Sequence, residues 1–294
     1  MKKTILSTLL VFGIVSGAFA AGTYTENFNS YSGGTTTGFA NGGALYFGGN
    51  ASGIYQNSSN WTALRLVQDG NGSDTATFLV SGVEQSGQMV NEFSASFGLH
   101  FKNSGGIGDS DIADRFSFNF GNIPTAGLPR FGENGVWSSG QSGGLLSVVW
   151  DFYDNDSGNG SGDANTNDRI GIEVYRNGTL VTGSFRSFDN NWVNANLTNG
   201  VFDNVEISWR GWDTGGLTMS VGGTAVYSDF NFGGLPFDLQ NGEFAFSAST
   251  GSESMDVFVD NISISTVPEP SSWALLALGI GGLVALRRTR RSRE

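Results

Sequence analysis

A two-residue alternation of apolar and polar side chains recurs between residues 22 and 266. It is clearest in Phe93–Phe101, Phe116–Phe120 and Val205–Trp209, and each run is bounded by Gly, Asn, Asp or Ser. Such short runs are typical of β-strands joined by turns, and the body shows no extended 3.6-residue apolar period of an amphipathic helix. The pattern predicts roughly a dozen antiparallel strands that each hide one face, and therefore one all-β, two-sheet sandwich domain.

The composition supports a folded core and excludes several chemistries. Among 294 residues there are 45 Gly, which suit turns, and 23 Phe and 7 Trp, which supply apolar bulk. The chain has no cysteine, so disulfides, thiolate metal sites and cysteine nucleophiles are excluded. His100 is the single histidine, which excludes zinc sites built on several histidines. It lies on the polar phase of its alternating run, which predicts an imidazole at the surface.

The charge distribution restricts the partners. The net charge is -12, and seven of the fifteen basic residues lie at the two ends of the chain. The body is therefore more acidic than the whole and would repel a phosphate backbone, so nucleic acid is excluded as a partner. Neutral sugars and divalent cations remain compatible with this charge.

The N-terminus has the features of a secretory signal. Lys2 and Lys3 are followed by an apolar run over residues 5–15 and by Ala18-Phe19-Ala20. A charged start, an apolar stretch and small residues at a cleavage position are typical of a signal peptide. The sequence predicts a signal over residues 1–20 and export through the Sec pathway, with a mature body over residues 21–266.

The C-terminus contains three features in order: Pro268-Glu269-Pro270, an uncharged run over residues 273–286, and an Arg cluster over residues 287–293. As a helix the run would be about 21 Å long, shorter than the roughly 30 Å hydrocarbon core of a bilayer. It could still hold the chain in the inner membrane transiently, with the arginines on the cytoplasmic side.

This order of features resembles the PEP-CTERM sorting signal, and we assign residues 267–294 to it. The resemblance implies recognition by an exosortase, removal of the tail, and delivery of the body to the surface or matrix of a Gram-negative cell. Bacteria with this system commonly make exopolysaccharide, so the resemblance makes exopolysaccharide a candidate partner.

An acidic cluster follows the apolar run Leu145–Trp150. Asp151, Asp154 and Asp156 are followed by a Gly- and Asn-rich stretch and then by Asp163 and Asp168. Oxygen ligands on a flexible loop suit Ca²⁺, which accepts six to eight of them, although the EF-hand spacing is not met. The alternative interpretation is a solvated acidic hairpin.

Several motifs in a conserved order resemble the L-type (legume-like) lectins, which have the concanavalin A-like fold of a two-sheet antiparallel jelly-roll sandwich. The motifs are Ala113-Asp114-Arg115-Phe116, where the family has Gly at the third position; Trp150-Asp151 followed by Asn155 and Asp163; Arg169-Ile170-Gly171-Ile172, where the family has His first; and Ala245 to Gly251. Together they span most of residues 90–265.

The resemblance implies a sugar site beside a calcium site. Asp114 would accept hydrogen bonds from sugar hydroxyls, and Asn155 would contact both sugar and calcium. Asp151, Asp163 and the carbonyl of Tyr153 would complete the calcium sphere. An aromatic face covers the apolar side of a sugar ring, and the candidates for that role are Tyr153, Trp137 and Trp192.

Two departures bear on the metals. The family's transition-metal site uses a Glu and a His at the positions of Val149 and Arg169, so no transition metal is expected. Arg169 could instead pair with Asp151 or Asp163 and replace a cation. The loop from Asp151 to Arg169 is also longer than usual, so Asp156 and Asp168 are alternatives to Asp163.

Three functions are compatible with these features. The first is non-enzymatic binding of exopolysaccharide or a surface glycan. The second is a structural role in the matrix, with a degenerate lectin fold and no small ligand. The third is glycoside hydrolysis, which needs two carboxyl groups roughly 5 Å apart. Enzymes of this fold carry them as Glu-x-Asp-x-x-Glu, whereas Glu173, Glu206 and Glu243 stand alone here, so we expect no enzymatic activity.

Overall fold

The computed structural model describes residues 22–39, 42–48, 53–57, 61–70, 74–83, 90–102, 115–121, 123, 145–152, 171–187, 201–210, 216–231, 243–250 and 255–268. Within these ranges no helix is long and apolar enough to cross a membrane. The regular structure consists of strands β1 (Gly22–Glu26), β2 (Gly43–Gly48), β3 (Gly53–Gln56), β4 (Thr62–Val67), β5 (Thr75–Val80), β6 (Val90–Lys102), β7 (Arg115–Gly121), β8 (Leu145–Asp151), β9 (Gly171–Arg176), β10 (Thr179–Leu180), β11 (Arg186–Ser187), β12 (Asp203–Arg210), β13 (Leu217–Val221), β14 (Thr224–Phe230), β15 (Glu243–Ser249) and β16 (Asp256–Pro268).

The strands form two antiparallel sheets of eight strands each. The first sheet has the order β14-β13-β12-β6-β16-β4-β3, and β1 also pairs with β16. The second sheet has the order β10-β9-β8-β7-β15-β5-β2, and β11 also pairs with β9. The predicted all-β, two-sheet antiparallel sandwich is confirmed.

Aromatic side chains from both sheets fill the space between them. Phe97 of β6 in the first sheet lies 5.8 Å from Phe118 and 5.0 Å from Phe246 of the second sheet, measured between ring centroids. Phe93, on the same face of β6, lies 4.5 Å from Phe120. The apolar phases of the alternating runs therefore meet in one core, where they bury a large apolar surface.

The outer face of the first sheet follows the predicted alternation. In β12, Val205, Ile207 and Trp209 point into the core, whereas Asn204 and Glu206 are exposed. Small hydroxyl side chains of the neighbouring strands β6, β13 and β16 line the same outer face. This sheet therefore has one buried and one solvated side, as antiparallel sheets commonly do.

The second sheet differs from the prediction that each strand hides one face. Every residue of β7 and β8, and all but the first of β15, is buried. Two hydrogen bonds join polar side chains on the outer face: Asn119 donates to the Ser117 hydroxyl at 3.0 Å, and Ser247 donates to the Thr77 hydroxyl at 3.1 Å. Buried polar groups are tolerated when they are hydrogen-bonded. The polar residues of the alternating pattern in this sheet therefore lie on a face that is buried and not exposed to solvent.

The prediction of a surface imidazole at His100 is wrong, because His100 is only 2% exposed. Its ring lies 5.7 Å from Phe258, 5.5 Å from Phe202 and 6.2 Å from Trp61, in an aromatic cluster on the outer side of the first sheet. Burial lowers the pKa of His100 to about 4, since an apolar site disfavours the charged imidazolium.

Strand β16 continues to the start of the sorting motif. Pro268 pairs in register with Val90, so the first proline of Pro-Glu-Pro is part of the first sheet. At the other end of the same pairing, Asp256 lies opposite Lys102. The two central strands β6 and β16 therefore run the length of the sandwich, about 40 Å at 3.3 Å per residue.

Candidate functional site

A buried ion pair joins two neighbouring strands on the outer face of the second sheet. Arg115 begins β7, Asp151 ends β8, and the two residues are opposite each other in register. The Nε and Nη2 atoms of Arg115 each donate to Oδ2 of Asp151 at 2.7 Å. The side chains are 5% and 2% exposed, so a charge-assisted pair is held away from water.

Further buried polar side chains lie near this pair on the outer face of the second sheet. Ser249 of β15 lies opposite Arg115, and Gly171 of β9 lies opposite Asp151. Further along β9, Tyr175 donates its hydroxyl to Oε2 of the buried Glu173 at 2.7 Å. Burial, together with the Glu173 carboxylate, raises the pKa of Tyr175, so this hydroxyl stays a donor. The site thus combines a neutralised carboxylate, a second buried carboxylate and small hydroxyls.

Two of the predicted site residues are close in sequence to this pair. Asp114 directly precedes Arg115, and Tyr153 follows Asp151 by two residues. Strand β7 begins and strand β8 ends at the same end of the second sheet. The chain therefore enters β7 after Asp114, and leaves β8 toward Tyr153, at neighbouring points. Asp114, Tyr153, Asn155 and Asp163 themselves lie outside the described residues. So do the alternatives Asp156 and Asp168, the aromatic candidates Trp137 and Trp192, and Arg169.

Asp151 is the one predicted calcium ligand that the structure describes, and its surroundings do not fit that role. A calcium ligand holds its carboxylate oxygen 2.3–2.6 Å from the ion, whereas Oδ2 of Asp151 accepts from two guanidinium nitrogens, which already place a positive charge beside the carboxylate. Val149, at the position that the resemblance assigns to the transition-metal glutamate, lies on the same outer face, and its side chain has no oxygen. Within the described ranges no three acidic or histidine side chains are grouped in a way that could hold a metal ion.

Sequence reasoning missed the partner of Asp151. In the sequence, Arg115 is a departure from the family motif, and Arg169 is the residue predicted as a cation beside Asp151. The alternation does place Arg115 on the face opposite to Phe116, and Asp151 on the face opposite to Trp150. The register that makes them neighbours comes from strand pairing across 36 residues, which the sequence pattern does not specify.

The site lies at the end of the sandwich remote from the sorting motif. Phe101, next to the end of β6 at Lys102, packs 4.5 Å from Phe152, which follows Asp151. At the opposite end, Phe93 is near the Val90–Pro268 pairing and packs against Phe120. Arg115 and Asp151 are therefore separated from Pro268 by nearly the whole length of the central strands.

An open groove of about 320 Å³ crosses the outer face of the first sheet. Ser94, Ser96, Ser208 and Ser220 line it together with Glu206, its single carboxylate. That carboxylate accepts hydrogen bonds from Asn204 at 3.0 Å and from Ser220 at 3.3 Å. Glycoside hydrolysis uses a pair of carboxyl groups, and the described lining of this groove provides one.

The comparisons with known proteins support the two halves of the sequence interpretation separately. Residues 266–291 match the PEP-CTERM protein-sorting motif. Among curated proteins, none is similar to the chain in sequence. The body is similar in structure to lectin I-B4 from Griffonia simplicifolia in its metal-free form, with a TM-score of 0.56, 14% identity, and coverage of 83% of this chain and 99% of that chain.

Two further structures agree with this. Lectin II from Ulex europaeus has a TM-score of 0.54 and 17% identity over 83% of this chain and 98% of that chain. The exoplasmic domain of VIP36 in a Ca²⁺/Man2-bound form has a TM-score of 0.51 and 10% identity over 85% of this chain and 90% of that chain. The fold is that of the legume-type lectins. At these identities the lectin-like fold is the whole of what the similarity establishes.

Proposed function

We propose that this chain is a non-enzymatic carbohydrate-binding protein of the bacterial surface, with exopolysaccharide or a surface glycan as its ligand. The observation that carries the proposal is the register of β7 with β8 in a lectin-like fold, where Arg115, the residue after Asp114, lies opposite Asp151, two residues before Tyr153. A carboxylate at Asp114 suits charge-assisted bonds to sugar hydroxyls, and Asn155 and Tyr153 would add an amide and a ring face.

The sorting motif supports the location. A PEP-CTERM motif at residues 266–291 indicates exosortase-dependent delivery to the surface of a Gram-negative cell. The signal over residues 1–20 would provide entry through the Sec pathway, and residues 273–286 would hold the chain in the inner membrane before processing. The surface and its matrix are where a protein that recognises exopolysaccharide would act.

A structural role in the matrix is the second candidate, and one observation favours it. Asp151 is neutralised by Arg115, so a carboxylate that the lectin resemblance assigns to ligand-site construction serves here as part of a buried ion pair. A fold that has kept its core and lost its sugar site would look the same at this position. Binding to sugar therefore separates the two candidates.

The test is the binding of the purified protein to immobilised exopolysaccharide and to a panel of neutral monosaccharides and oligosaccharides. Saturable binding that a free sugar competes away is expected. A flat response to every carbohydrate would favour the structural role instead. Release of reducing ends from any of these carbohydrates would contradict the expectation that the protein is not an enzyme.

The position of the sorting motif leads to a prediction about orientation. Four residues, 269–272, separate Pro268 from the apolar run that starts at Trp273, and they span at most about 14 Å. The Pro268 end of the sandwich should therefore face the membrane while the tail is in place, and the Arg115–Asp151 end should point away from it.

The chain has no cysteine, so single cysteines can report on this orientation. Thr23 is exposed next to the Pro268 end, and Lys102 is exposed at the opposite end. Thr23→Cys and Lys102→Cys would each be labelled with a fluorophore and placed in liposomes that contain an acceptor-labelled lipid. Stronger energy transfer from position 23 is expected; equal transfer, or stronger transfer from position 102, would contradict the orientation.

A further inference from the structure

The ion pair between Arg115 and Asp151 coincides with the position where a lectin of this type would hold a cation. Asp151 is the carboxylate that the sequence resemblance assigns to calcium. Arg115 stands where the resembling motif has glycine, which has no side chain. The guanidinium thus comes from the residue next to the predicted sugar ligand Asp114, on the strand paired with β8.

The contacts leave little freedom for this pair to open. Both donors of Arg115 converge on one oxygen of Asp151 at 2.7 Å, and both side chains are almost completely buried. Asp151 is flanked in sequence by Trp150, which is fully buried, and by Phe152, which packs on Phe101. A buried carboxylate needs a positive partner, and a metal ion or a guanidinium can provide it.

Two neighbouring positions also differ from the resembling motif, at its transition-metal site. The residue two before Asp151 is Val149, which is buried and has no ligand atom. Arg169 stands where the resembling motif has a metal-binding histidine. The two positions that the resemblance assigns to a transition-metal site thus carry no ligand side chain of the expected kind, and Arg115 places a positive charge beside Asp151.

We infer that the Arg115 guanidinium replaces a metal ion at Asp151, so that this end of the fold is organised without calcium bound to that carboxylate. The inference deepens the proposed carbohydrate-binding function, on which its relevance to a glycan site rests. The Arg115 guanidinium already supplies a positive charge in direct contact with the Asp151 carboxylate. A divalent cation at Asp151 would have to displace the guanidinium donors or lie beside them, and like charges at that distance repel.

The test is a calcium titration of the full-length protein, read by the midpoint of thermal unfolding with EDTA and with saturating CaCl₂. The wild type is expected to unfold at the same temperature in both conditions, within about 1 °C, because a ligand that does not bind leaves the midpoint unchanged. Arg115→Gly is expected to lower the midpoint in EDTA, and calcium should then raise it by about 5 °C.

Two control variants show whether that response belongs to this site. Adding Asp151→Asn to Arg115→Gly should abolish the calcium response. Arg65→Gly breaks the more exposed pair between Arg65 and Asp256, whose atoms are 3.7 Å apart, and should create no calcium response. A folded Arg115→Gly protein that ignores calcium would overturn the inference.

A second measurement decides the question if Arg115→Gly does not fold. Isothermal titration with CaCl₂ alone compares the wild type with Asp151→Asn. No calcium uptake, or uptake that Asp151→Asn leaves unchanged, supports the inference; uptake that Asp151→Asn abolishes overturns it. Neither readout involves a sugar, so failure of the carbohydrate-binding proposal would be seen separately, in the glycan-binding assay.

Discussion

Replacing Phe97 by alanine is expected to lower the free energy of unfolding by about 4 kcal/mol. Phe97 is fully buried in the first sheet and contacts three rings of the second sheet, with centroid distances of 6.1 Å to Phe116, 5.8 Å to Phe118 and 5.0 Å to Phe246. Its loss removes apolar burial and leaves a cavity between sheets whose closely packed rings cannot collapse into it.

Denaturant unfolding followed by tryptophan fluorescence measures this change. Phe47→Ala is the matched control, because Phe47 is 44% exposed on β2 and its removal should cost much less, about 1 kcal/mol. If the two variants were equally stable, the two sheets would not be packed through Phe97 as described.

The second large effect is expected in the free energy of unfolding as a function of pH, through the protonation of His100. The folded state lowers the pKa of His100 from 6.5 to about 4, so between these values the unfolded chain binds a proton that the folded chain refuses. His100 therefore has no destabilising effect above pH 6.5. As the pH falls below 6.5, the free energy of unfolding decreases, and this decrease levels off below about pH 4. The loss across that window is about 3 kcal/mol, at 1.36 kcal/mol per unit of pKa.

Other groups titrate in the same pH range, so the effect of His100 has to be measured as the difference between the wild type and a variant without the histidine. Burial raises the pKa of Asp260 from 3.8 to about 6. The folded state then holds a proton that the unfolded chain releases, and Asp260 contributes more stability as the pH falls through this range. Its effect opposes that of His100 and would flatten the wild-type curve.

The comparison of wild type with His100→Gln isolates the histidine. Free energies of unfolding would be measured from denaturant curves at intervals between pH 4 and pH 7.5. The wild type should lose about 3 kcal/mol relative to His100→Gln between pH 7 and pH 4. A difference that stays constant with pH would show that the imidazole is not buried in the neutral form.

The two-sheet architecture could be predicted from the alternation, because the alternation identifies the core-facing side of each strand. Phe93, Phe97 and Phe101 all point into the core, as the run that contains them indicates. The same pattern does not say what lies against the polar phase. Ser117 and Asn119 are buried on the outer face of the second sheet, and His100 is buried among aromatic rings on the outer face of the first sheet. Tertiary packing decides those positions, and hydropathy along one strand does not report it.

At the candidate site, the sequence predicted candidate residues but not the contact that the structure shows between Arg115 and Asp151. The motif around Asp114 and the cluster after Trp150 were expected to meet, and β7 and β8 do pair at that edge. The ion pair that joins them depends on register between strands separated by a long loop. No local pattern encodes that register, so Arg115 appeared in the sequence only as an exception to a motif.

The most direct test of the proposed carbohydrate-binding function is the dissociation constant for purified exopolysaccharide, measured for the wild type, Asp114→Asn and Asp229→Asn. Asp229 is exposed on the first sheet and accepts a hydrogen bond from the Gly216 amide, which an Asn side chain can also accept. We expect saturable binding by the wild type and by Asp229→Asn, and a weakening of at least about tenfold in Asp114→Asn, as the loss of a charged hydrogen-bond acceptor implies. Equal binding by all three proteins would contradict the assignment of the site to Asp114, and absence of binding by the folded wild type would contradict the proposed function itself.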